Sequence, residues 1–239
     1  SRGKNPDFWV KKIERNRQIG GINMKFNFDN KLFVALGKVV DCAILSVLWL
    51  VCCLPVITIG VSSTALYYTV HKSIRGNRGY TTKNFFHAFK DNFKPATLSW
   101  IVTLAVQIIL AMDAYITWQV LQTGNNMGAF FYFFLILIAF SIGWVIYTFA
   151  YIARFENTVK ITLKNAILME LRHLPWSLLI IILLLLAIFL TWLIPIFVFL
   201  MPACIVLIFD LILERIFRMY MSPEDLANEK EKDMLDKMD

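Results

Sequence analysis

All 24 Lys and Arg residues of this 239-residue chain fall in four stretches: 1–38, 72–95, 154–173 and 215–239. The runs between them are long and apolar. A bilayer span needs about 20 predominantly apolar residues, and basic residues collect on the cytoplasmic side of spans. Any topology that splits the four stretches between two sides of a membrane breaks that bias. Charge placement therefore restricts the fold more than any motif does. Composition agrees, at 58% hydrophobic and 17% charged, against about 45–50% and about 25% in soluble domains. An ordinary cytosolic enzyme, a disordered tail protein and a disulfide-stapled secreted domain are excluded.

The apolar runs divide at prolines and polar turns. The first, about 39–54, ends at Pro55, and a second continues from Val56 to about Val70. We read these as a tight helical hairpin with Pro55 and Gly60 near an outer turn; re-entrant insertion of 56–70 is the alternative. A third span covers about 96–121 and a fourth about 127–153, joined by the short polar stretch 122–126. The block 174–209 splits at Pro195 into spans of about 175–193 and 195–212. The expected fold is all-α: a polytopic membrane helix bundle of about six transmembrane helices, with amphipathic cytoplasmic helices and both termini cytoplasmic. In that arrangement every Lys and Arg lies on one face. The expected divisions are a basic arm (1–31), the six-helix domain (32–217) and an acidic tail helix (218–239). The net charge of +7 reads as attraction to anionic lipid headgroups, since no nucleic-acid-binding motif is present.

On the expected cytoplasmic face, residues 5–20 mix Phe8, Trp9 and Ile13 with Lys11, Lys12, Arg15 and Arg17, the pattern of an interfacial helix. In 72–95, Phe85, Phe89 and Phe93 recur at i, i+4 and i+8 with Phe86 beside them, which is one helix face. Thr82 is placed to cap that helix and Pro95 to open the next span. The stripe packs on lipid or the bundle, or docks a cytoplasmic partner. Lys164-Asn165 echoes Lys83-Asn84, and Ile167, Leu168, Leu171 and Leu174 supply an apolar face. The two connections thus read as a weak internal repeat.

Ionisable groups inside spans are functional candidates by default. Asp113, in the third span, is the one acid away from the cytoplasmic ends; Asp41 and Asp210 lie at the inner ends of the first and sixth. Asp210 and Glu214 form a like-charge i, i+4 pair, and Glu214 with Arg218 an opposite one. His71, His87 and His173 stand isolated beside span ends. Cys42, Cys52, Cys53 and Cys204 lie in apolar runs with no ligand spacing and read as buried hydrophobes. No nucleophile elbow, phosphate loop or metal-binding motif is present. The expectation is no catalytic residue, no cofactor and no metal site.

Asp41, Leu48-Trp49-Leu50, Leu54-Pro55-Val56-Ile57-Thr58-Ile59-Gly60, Thr64-Ala65-Leu66-Tyr67-Tyr68, Gly79 and the run from Phe85 to Thr97 resemble the YesL-like family of bacterial membrane proteins. The match is closest over 26–100 and weaker over 154–190. The resemblance implies an accessory subunit in carbohydrate uptake or sensing, because the genes of such proteins often lie beside sugar-binding ABC importers and two-component systems. The implied partners are ABC importer permeases, with a sensor kinase as an alternative, together with membrane lipid and no nucleic acid. A stand-alone transporter or channel is the competing class; it would need a polar pathway through Asp113, Gln107 and Gln119.

Overall fold

The structure, a computed structural model, describes residues 31–76 and 79–221, with 223, 224, 226 and 227 beyond them. The chain divides into two compact units, 1–37 and 38–239. The expected arm helix and most of the acidic tail lie outside the described residues. The helices are α1 (Lys31–Cys53), α2 (Ile59–Thr69), α3 (Thr81–Asp91), α4 (Phe93–Gln122), α5 (Phe130–Arg154), α6 (Val159–Arg172), α7 (Leu174–Leu193) and α8 (Met201–Phe217). Short 3-10 turns precede α2, α5 and α8, and a π-turn, Val70–Arg75, extends α2. No strand occurs among the described residues.

Among the described residues, four helical segments are long and apolar enough to cross a bilayer: Leu36–Cys53, Phe93–Gln122, Asn126–Arg154 and Leu174–Leu193. They match four of the six expected spans. The other two correspond to α2, with 11 residues, and α8, with 17. At 1.5 Å per residue these are about 16 and 25 Å long, short of the roughly 30 Å hydrocarbon core. The expected outer position of Pro55 and Gly60 is corrected. A Cβ on Gly60 would meet Trp100 Cβ at 2.6 Å and the Ala96 carbonyl at 2.9 Å, and Trp100 Nε1 donates to the Val56 carbonyl at 2.7 Å. The turn therefore lies within about two turns of the start of α4, beside its basic end, not at the far end of that long helix.

The local breaks have identifiable causes. Extended backbone at Pro55 ends the first helical run, and the Thr58 hydroxyl donates to the Cys52 and Pro55 carbonyls, which satisfies groups left open where α1 stops. Inside α2 the hydroxyls of Thr64 and Thr69 donate to carbonyls four residues back. Polar side chains thus enter the core with their hydrogen bonds made locally. Gly79, at φ +67°, turns the chain into α3. That helix begins at Thr81 with Tyr80 as its N-cap and no side-chain cap, so the cap expected from Thr82 is not formed.

Both connecting helices turn their faces the same way. Thr81, Phe85 and Ala88 are buried in α3, and Thr162, Ala166 and Met169 in α6. Asn84 donates to Ser73 just after α2, and Asn165 donates to Tyr151 on α5. The echo between the two connections is thus matched by the same burial spacing and a similar tie to the preceding segment. The apolar face read in α6 is the outer one: Ile167, Leu168, Leu171 and Leu174 are all exposed.

Because a Cβ at position 60 has no room against α4, Gly60→Ala should lower stability by about 1–3 kcal/mol. Ala105→Leu, on an exposed part of the same helix, should leave it nearly unchanged. Thermal unfolding of the two variants in mild detergent checks this.

Candidate functional site: a buried ion cluster

α8 carries Asp210 and Glu214 one turn apart, and both are almost completely buried. The π-turn brings His71 and Arg75 to Asp210. His71 Nδ1 lies 2.8 Å from Asp210 Oδ1 and 3.7 Å from Glu214 Oε1. Arg75 Nη1 lies 2.8 Å from Asp210 Oδ2. Glu214 is held from the end of α5, with Arg154 Nε 2.7 Å from Oε1 and Nη2 donating to Oε2 at 3.2 Å. Arg218, a turn further along, is 3.9 Å away. The like-charge pair seen in the sequence is thus separated in role: each carboxylate has its own guanidinium. His71 is not isolated, and neither are the other two histidines. His87 pairs with Asp91 at 2.6 Å, and His173 lies 3.1 Å from the Tyr220 hydroxyl.

Arg75 and Arg218 follow α2 and α8, and Arg154 ends α5, so one cluster gathers the basic ends of three helices. His71, Asp210 and Glu214 also offer ligand atoms within 4.8 Å of one another, a group whose geometry admits a metal ion. The guanidiniums of Arg75 and Arg154 already balance the two carboxylates, so a divalent cation would meet two fixed positive charges. The donor set acts first as an ion-pair clamp between helices.

A second buried acid, Glu170 on α6, was not singled out in the sequence. It is 1% exposed, and Oε1 has no hydrogen-bond partner. Gly143 on α5 makes the space, since a Cβ there would collide with the carboxylate. The neighbouring Ser177 donates to the Tyr147 hydroxyl and the Glu170 carbonyl, at 3.1 and 2.9 Å. Burial pushes the Glu170 carboxyl up to about 8 from its ordinary 4.5. The available signal was an acid in register with Ala166, on the face of α6 opposite Leu168.

The remaining expected residues are dispersed. Asp41 and Asp113 are half-buried and make no ion pair among the described residues. Of the phenylalanine stripe, Phe85 is fully buried against Leu66, Val70 and Ile74, so its ring is not on the surface. Phe89 is partly buried, while Phe86 and Phe93 are about half exposed.

Among the described residues the chain is all-helical with four membrane-length helices, the pattern of a polytopic membrane protein. Residues 42–114 match the family described as "Protein of unknown function, DUF624". The YesL-like proteins are in that family, so the resemblance is borne out over this segment. No curated protein and no solved structure matches the chain.

Asp210→Ala leaves the partly exposed Arg75 and His71 without their shared carboxylate, a change worth about 1–3 kcal/mol. Asp113→Asn should stay within about 0.5 kcal/mol. Chemical or thermal unfolding of both variants distinguishes a clamp from a dispensable pair. Glu170 has the opposite sign from a salt-bridged acid. The folded state holds its proton where the unfolded chain has released it, so its contribution is complete below about pH 4.5 and is lost as pH rises through about 8. Glu170→Gln should therefore gain Tm over the parent as pH is raised from 5 to 9, by a few degrees for a chain of this size. Paired Tm measurements across that range check it.

Proposed function

We propose that this chain is an accessory integral membrane subunit that acts by associating with other membrane proteins and performs no catalysis of its own. It resides in the bacterial cytoplasmic membrane with both termini on the cytoplasmic side. The YesL-like resemblance supplies the partner class: the permeases of a carbohydrate ABC importer, whose assembly or regulation it serves.

The observation that carries this reading is the two-sided apolar surface of the connecting helices. α3 buries Phe85 and Ala88 yet exposes Phe86, with Phe93 exposed at the start of α4; α6 buries Ala166 and Met169 yet exposes Leu168 and Leu171. One side of each helix is used within the chain, and the other is left uncovered at the basic end of the bundle. Large apolar side chains left exposed on both connecting helices are the material of an interaction face. The docking set is thus Phe86 and Phe93 joined by Leu168 and Leu171, with Phe85 supporting it from inside. A stand-alone transporter has less support, because Gln107 and Asp113, six residues apart, do not share a face of α4.

The test places a photoreactive amino acid at position 86 or 168 in the native host. Adducts to an importer permease at both positions, with loss of permease co-purification in a Phe86→Glu, Leu168→Glu variant that still inserts and folds, support the proposal. Adducts to lipid alone, with the chain purifying by itself, overturn it.

A further inference from the structure

We propose that a cavity among α2, α4, α5, α7 and α8 holds one acyl chain of a membrane phospholipid. The cavity has a volume of about 460 Å³, within the roughly 300–1,000 Å³ typical of small-molecule sites. Its wall runs from the buried interior to the outside of the bundle. Tyr67, Ala150 and Ala187 in that wall are 4%, 1% and 6% exposed, whereas Ile188 in the same wall is 57% exposed. Ile188 lies on α7, one of the membrane-length helices, so the opening faces hydrocarbon, not water. The lining is almost wholly apolar, and an apolar cavity does not retain water. The phase at its mouth supplies the occupant, and that phase is lipid chain.

Two features make the cavity a built one. Trp100 forms part of the wall and is held in place by donating Nε1 to the Val56 carbonyl at 2.7 Å. Ala150 and Ala187 present small side chains where larger apolar ones would fill the space. At the deep end, Tyr67 stands between the cavity and the ion cluster, since it is on α2 one turn before His71. A chain seated there would brace α2 against α5 and α7. This inference goes beyond the accessory-subunit reading and does not depend on it.

The full chain is reconstituted into phosphatidylcholine vesicles containing a phospholipid with a diazirine in its acyl chain, irradiated, and the adducts mapped by mass spectrometry. Adducts on Ala150 and Tyr67, buried positions that lipid around the protein does not reach, support the proposal. Ala187→Phe should abolish those adducts while sparing labelling of the exposed Ile182 and Leu185; if that variant does not fold, Ala187→Leu is read the same way. Labelling confined to Ile182, Leu185 and other exposed residues of the wild-type protein overturns it, as does Ala150 labelling that survives filling of the cavity.

Discussion

Two carboxylates one turn apart on α8, buried at the basic end of the bundle, hold the helices in register. Charge out of water is expensive, and such groups persist only when each is paired and hydrogen-bonded. Asp210 takes Arg75 and His71, and Glu214 takes Arg154. Loss of a partner would leave its counterpart buried and uncompensated, so the cluster couples the ends of α2, α5 and α8. The π-turn after α2 contributes both His71 and Arg75. Such wider turns often occur where side chains must be re-aimed for a functional contact.

α2 is the second organising element. It is short, mostly buried and rich in small or hydroxyl-bearing residues, and its threonines are satisfied within the helix. Without large side chains in the way, its backbone approaches α4 closely at Gly60. Larger apolar residues are on the outside of the protein, where lipid accepts them. In α3 and α6 the inner faces mix Thr and Ala with Phe85, Met169 and the acid Glu170, while Phe86, Leu168 and Leu171 stay outside.

That distribution explains which parts of the site were legible. The four membrane-length helices among the described residues follow from hydrophobic run length and turn residues. The inner face of α6 is not legible in the sequence, because the Ile and Leu of its apolar face are outside and Thr162, Ala166 and Met169 are inside. Spacing alone leaves Phe85 open between lipid, the bundle and a partner: it shares a stripe with Phe89 and Phe93, and nothing local says that α2 covers one end of that stripe. Glu170 went unnoticed because its environment is made by Gly143, 27 residues away on another helix.

By itself, the sequence determined that this is an α-helical membrane protein and where four of its long helices run. Hydrocarbon thickness and the cost of placing Lys or Arg in it impose those features on any chain of this pattern. Tertiary structure decided which acids are clamped, which phenylalanines stay outside and where a cavity opens toward lipid. His71 and Asp210 are 139 residues apart, and contact at that separation depends on how helices pack, a property that no local pattern encodes.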